Sequence, residues 1–134
     1  MSKLTEIEGI GPVYAAKLAE EGVKTVEHLL EKGATRKGRK ALEDATGISG
    51  KLILRWVNMA DLFRIKGIGE EYADLLEAAG VDTVKELATR NAKNLQDKLE
   101  EVNAEQKRVK AVPGEKTVVG WVAQAKELPA VVEY

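Results

Sequence analysis

Leu52, Ile53, Trp56, Met59, Ala60 and Phe63 recur at three- and four-residue intervals, which lays one apolar stripe along a helix and leaves polar residues on the opposite side. The stripe predicts a helix from Ser49 to about Arg64. Ahead of it, a helix is expected near residues 36–45, stopped by Gly47. Leu95, Leu99 and Val102 form a second stripe, predicting a helix from Asn91 to about Val109. Val112-Pro113-Gly114-Glu115 breaks the periodicity, Thr117 to Leu128 resumes it, and Pro129 ends it, leaving an extended tail from Pro129 to Tyr134.

The remaining apolar positions fall into a repeat. Residues 7–30, IEGIGPVYAAKLAEEGVKTVEHLL, align without gaps on residues 65–88, IKGIGEEYADLLEAAGVDTVKELA, and 12 of the 24 positions are identical. Ile7, Gly9, Ile10, Gly11, Tyr14, Ala15, Leu18, Gly22, Val23, Thr25, Val26 and Leu29 each recur 58 residues later. In each copy Gly-Ile-Gly predicts a tight turn, with glycine free to take a positive φ and the isoleucine anchored inward. Tyr14, Ala15 and Leu18, like Tyr72, Ala73 and Leu76, share one face of a helix that Gly22 or Gly80 then ends. Pro12 suits the first turn of that helix, and Thr25 and Thr83 are placed to cap the short helix that follows. Past residue 30 the repeat loosens. Ala34-Thr35-Arg36 echoes Ala88-Thr89-Arg90, and Trp56-Val57 echoes Trp121-Val122, which makes the two tryptophans candidate core anchors.

The expected fold is all-α, with residues 1–64 and 65–134 as related halves packed into one compact body. A chain of 134 residues, 44% apolar and 32% charged, has the balance for a buried core under a solvated surface. It carries no apolar run of about 18 residues and no basic-then-apolar leader, so it reads as cytoplasmic, with no membrane partner. It also lacks cysteine and has a single histidine, His28, which removes thiolate metal sites and nucleophiles. No metal, cofactor or small-molecule substrate is expected. No paired acid and base, P-loop or dinucleotide fingerprint appears either, and an enzyme is the least favoured class.

Paired as Gly-Ile-Gly between short helices, with alanine and leucine in the second, these segments resemble the helix-hairpin-helix motif of DNA repair and recombination proteins. The wider pattern from Ile7 through Thr46-Gly47-Ile48-Ser49 to Trp56 resembles the N-terminal helical domain of archaeal and eukaryotic strand-exchange recombinases. Over nearly the whole chain, on ATRKGRKALEDATGIS, WVNMADLFRIKGIGEEYADLLEAAGVDTVKELA and Trp121-Val122, the sequence is similar to a bacterial family described as domain of unknown function 4332. The motif resemblance implies phosphate binding by backbone: amides at a helix N-terminus, where partial positive charge collects, hold a phosphate without reading a base. Carried onto this chain, it implicates the amides around Gly9, Ile10, Gly11 and Val13 in the first hairpin. In the second it implicates those around Gly67, Ile68, Gly69, Glu70 and Glu71.

Charge divides the two copies. DNA-binding examples of the motif often carry lysine or arginine two residues after the second glycine, where this chain has Val13 and Glu71. Glu70 and Glu71 put carboxylates on the helix N-terminus a phosphate would need, although they stabilise the helix dipole by roughly 0.3–1 kcal/mol each. The second hairpin (Gly67, Ile68, Gly69) is therefore expected to be structural. The first has Lys17 one turn into its helix, with Glu6 and Glu8 nearby. Residues 31–64 hold eight basic and four acidic side chains, against three and six in residues 65–90, so an anion-binding face belongs to the first half. Its densest feature is Thr35-Arg36-Lys37-Gly38-Arg39-Lys40, read either as a phosphate-binding segment or as a solvated helix start. The net charge of −1 runs against a general DNA coat protein, which carries a large positive excess. Two functions stay open: sequence-independent DNA binding through Gly9, Ile10, Gly11, Val13, Lys17, Arg36, Lys37, Arg39 and Lys40, or a protein-interaction scaffold whose hairpins are structural.

Overall fold

The computed structural model describes residues 2–134. Among them the chain is all-helical: a short 3-10 helix, Leu4–Glu6, precedes α1 (Pro12–Glu20), α2 (Val26–Gly33), α3 (Arg36–Thr46), α4 (Gly50–Leu62), α5 (Glu70–Ala78), α6 (Val84–Ala88), α7 (Ala92–Gln106) and α8 (Glu115–Glu127). Among the described residues the extended pairing is limited to an isolated bridge between Lys3 and Thr25. Among the described residues no helix is long and apolar enough to cross a membrane.

The helix boundaries follow from local chemistry. Thr25, Thr35, Thr83 and Asn91 each stand as N-cap with extended backbone, and each side-chain oxygen accepts an N–H from the third residue on: His28, Gly38, Glu86 and Asn94. Each such cap satisfies one of the amides a helix start leaves unpaired. Gly47 closes α3 in the left-handed region. α7 stops three residues short of the expected Val109, because Lys107 turns left-handed at φ 49° and ψ 47°. Beyond that turn Val109 is held by the Asn103 carboxamide, which accepts its N–H at 2.9 Å and donates to its carbonyl at 3.0 Å. α8 starts earlier than expected, at Glu115, with Gly114 as its extended N-cap.

The chain divides into two compact units. One runs up to Asp61 and takes in Val131–Tyr134; the other is Leu62–Ala130. Each has its own buried set. In the first, Leu18, Leu29, Ile53 and Trp56 are fully buried, with α3 packed on α1 and α2. α2 and α4 meet closely at Gly33, where a β-carbon would collide with the Val57 side chain. In the second unit Leu75, Leu76, Leu87, Leu99 and Trp121 share a core in which α8 packs on α6 and α7, and α5 on α7.

Matched positions in the two sequence copies adopt the same local geometry. Gly9 and Gly67 turn at φ 96° and 98°, and Gly11 and Gly69 are extended N-caps. Ile10 and Ile68 are buried between them, at 3% and 5% exposure. A tryptophan lies under each turn: the β-carbon position of Gly9 is 3.2 Å from Trp56 Nε1, and that of Gly67 is 3.2 Å from Trp121 Nε1. Tyr14 tilts against Trp56 with ring centroids 5.1 Å apart, and Tyr72 against Trp121 at 5.2 Å. The tryptophans are core anchors, buried at 0% and 2% exposure. Burial leaves Trp56 Nε1 without a hydrogen-bond partner, at a cost of about 1–3 kcal/mol offset by the area the ring buries.

Candidate nucleic-acid interface

At the first corner Ile10 donates its N–H to the Ile7 carbonyl, Gly9 supplies the positive φ, and Gly11 caps α1 with no side-chain bond. Pro12, in the first turn, has no N–H to offer, so the outward donors there are Val13 and Tyr14, whose amides precede the first i−4 bond, from Ala15 to Gly11. No acidic side chain lies in that first turn, and Val13 stands 70% exposed. Lys17 is exposed one turn further on. Of the two nearby acids, Glu6 is engaged locally, accepting the Lys3 amide at 2.6 Å, and Glu8 is exposed. The partial positive charge at the start of α1 therefore faces solvent, with Lys17 one turn further along the helix.

The second corner has the same backbone and the opposite electrostatics. Glu70 and Glu71 occupy the first turn of α5 and are exposed beside Gly67 and Gly69. Lys66, just before the turn, is held by its main chain: Gln124 accepts its N–H at 2.9 Å and donates to its carbonyl at 3.2 Å. Ile68 is buried. The negative first turn neutralises what the α5 dipole offers an anion.

The basic segment splits. Arg36 and Lys37 are exposed at the start of α3. Arg39 is 8% exposed and points inward: one terminal nitrogen donates to the carbonyls of Gly33 (2.8 Å) and Ala34 (3.1 Å), and the other to that of Glu133 (2.5 Å). Burial lowers its pKa against the pull of the nearby Tyr134 and Glu133, but a guanidinium starts so high that it stays charged. Three of its five N–H donors are committed to the chain's own carbonyls, which, with its burial, takes Arg39 out of any solvent-facing phosphate-binding set. Lys40 is exposed and paired with Glu43 at 3.6 Å and Asp44 at 3.1 Å, and the hydrogen bond to Asp44 raises its pKa. At that exposure the pairs are worth little to stability, yet they lower the net positive charge of the segment.

The amides of the first corner and this segment do not form one site. Glu21, just past the C-terminal end of α1, shares a surface depression with Lys32 and Gly38, and Lys32 Nζ donates to the Glu21 carbonyl at 3.0 Å. Arg36 and Lys37 thus start beside one end of α1 while Gly9, Gly11 and Val13 lie at the other, about 13 Å away along a nine-residue helix. His28 is half-buried in α2, its Nδ1 accepting a long bond from the Lys24 amide at 3.4 Å. Among the described residues no cluster of His, Asp or Glu is arranged to hold a metal ion. The sequence contained no local signal for the inward turn of Arg39, whose partners include a carbonyl 94 residues away.

The geometry defines a class: an all-helical protein of short, glycine-cornered helices, with one exposed, acid-free helix start and one acidic counterpart. The chain belongs to the family described as Domain of unknown function (DUF4332), whose pattern it matches over residues 8–128. Neither the curated proteins nor the solved structures yield a match.

Proposed function

We propose that the chain is a non-catalytic module of two helix-hairpin-helix units, of which the first binds the phosphate backbone of DNA weakly and without sequence preference. The observation that carries this reading is the contrast between the two corners. They share backbone geometry and neither helix start has a side-chain cap, but only the first is free of acid, with an exposed lysine one turn further on. Such a helix start suits an anion through its amides and dipole together. The resemblance to repair and recombination hairpins points to the same ligand. Lys17 supports the hairpin directly; Arg36 and Lys37 supply a second, separate contact further along a duplex. With so few cations the binding is weak, and its log–log salt slope is shallow, on the order of −2 to −3.

The test is fluorescence anisotropy against single-stranded, duplex and branched DNA over a salt titration. Val13→Glu reproduces in the first hairpin the carboxylate that Glu71 places in the second. Val13 is 70% exposed, and a first-turn acid favours the helix, so the fold is unaffected. The substitution weakens binding strongly, leaving only the Arg36 and Lys37 contact, and Lys17→Ala weakens it less. Undiminished binding by Val13→Glu, or no affinity even at low salt, refutes the proposal.

A second reading, a protein-interaction domain with structural hairpins, is favoured by the commitment of Arg39 to main-chain carbonyls and of Lys40 to Glu43 and Asp44. It predicts a pulled-down partner that survives nuclease treatment and is indifferent to Val13→Glu.

A further inference from the structure

Val131–Tyr134 belongs to the first unit although it follows the second in the chain, and it lies outside the stretch matched by the family pattern, residues 8–128. The surface beneath it lies inside that stretch. The way the segment is held amounts to recognition of a peptide. Residue 133 is gripped by its main chain on both sides: its N–H donates to the Ala34 carbonyl at 2.7 Å, and its carbonyl accepts from Arg39 at 2.5 Å. Its side chain is not what is read, since Glu133 is exposed. Tyr134 is read by its phenol, which donates to Oδ1 of the buried Asn58 at 3.0 Å while its ring lies 6.0 Å from the Arg39 guanidinium. Val131 and Val132, ahead of them, are half-buried.

The receptor groups are held in place by the rest of the first unit. Arg39 is oriented from behind by the Gly33 and Ala34 carbonyls, so its second nitrogen stays aimed outward at the peptide carbonyl. Asn58 is 6% exposed within α4. A preorganised donor and two preorganised acceptors (the Ala34 carbonyl and Asn58 Oδ1) recognise an extended backbone at low entropic cost, as in other main-chain readout of peptides. The segment seated there carries two half-buried valines, one residue read by main chain alone, and a tyrosine held by its phenol although 58% exposed.

We propose that the Ala34, Arg39 and Asn58 surface is a docking site for an extended peptide of this aliphatic–aliphatic–any–tyrosine pattern on another protein, and that Val131–Tyr134 is its resident ligand in cis. The tethered segment competes at an effective concentration on the order of millimolar, so a peptide from another molecule gains the site only when the tail has left. This stands apart from the phosphate reading, since none of these contacts involves the first hairpin.

The experiment uses the full chain with Glu133→Pro and Tyr134→Ala, which delete the tail's N–H donor and its phenol. The peptide Pro-Ala-Val-Val-Glu-Tyr is titrated against it and followed by heteronuclear NMR. Saturable shifts centred on Ala34, Arg39 and Asn58 are expected. The wild-type chain binds the same peptide at least roughly tenfold more weakly, because its own tail fills the site. A peptide with phenylalanine for tyrosine binds roughly 2- to 10-fold more weakly, having lost one hydrogen bond. Tyr134→Ala alone gives the same ordering if the double variant loses helicity. No saturable shift in a folded variant, equal affinity for variant and wild type, or indifference to the phenol overturns the proposal.

Discussion

Replacing Gly9 by alanine tests the corner on which the first unit turns. Gly9 has φ 96°, where a side chain costs roughly 1–2 kcal/mol. The new β-carbon would also stand 3.2 Å from Nε1 of Trp56, tight enough that the indole must move by a few tenths of an ångström. Trp56 is fully buried, so that movement is transmitted to its neighbours and adds up to about 1 kcal/mol. The expected loss is about 1.5–3 kcal/mol. For 134 residues the unfolding entropy is about 0.28 kcal/mol/K, which turns the loss into a fall in Tm of roughly 5–10 °C, and about twice that where the unit unfolds by itself. Thermal melts followed by circular dichroism at 222 nm measure it. Gly11→Ala is the internal control: two residues away in the same turn, Gly11 is extended and nothing lies within 4 Å of its β-carbon position. It should change stability by about 0.5 kcal/mol or less, because a slightly poorer N-cap is offset by a less flexible unfolded chain. Gly67→Ala, over Trp121 Nε1 at the same 3.2 Å, should match Gly9→Ala. If Gly11→Ala costs as much as Gly9→Ala, or Gly9→Ala is neutral, the corner is not held by positive φ and close packing on the indole.

Two other substitutions probe single contacts. Gly33→Ala drives a methyl into Val57 and should destabilise by about 1–3 kcal/mol; Val57→Ala in the same chain should recover part of that loss, and a double-mutant cycle in urea that comes out additive would deny the contact. Lys107→Gly relieves the left-handed residue that ends α7 and should stabilise by roughly 0.5–1 kcal/mol in chemical denaturation, so a loss of stability there would mean the lysine side chain matters more than its backbone.

Much of the local structure was legible because its causes are local. Thr25 and Thr83 cap the helices they precede, Gly9 and Gly67 take the positive φ that a tight turn requires, and Trp56 and Trp121 are buried as their apolar helical spacing implies. Each depends on one residue type and neighbours a few positions away. The candidate site was legible in part. Val13, Lys17, Arg36 and Lys37 are exposed as a solvent-facing anion site needs, and Glu70 and Glu71 flank the second corner. Arg39 and Lys40 were not distinguishable from their neighbours in the run Arg36-Lys37-Gly38-Arg39-Lys40, because a run of cations carries no mark of which one faces inward.

Sequence alone therefore determined the helices, their caps and the two glycine corners, since backbone preference and apolar spacing act within a few residues. Tertiary structure alone decided the fate of Arg39, the division at Asp61 and Leu62, and the seating of Val131–Tyr134. The end of α2 presents carbonyls that lack helical partners, and burial makes leaving them unpaired costly. Arg39 is the donor that reaches them, and the tail supplies a carbonyl for its remaining nitrogen from 94 residues away, a distance over which no pattern of residue types signals contact.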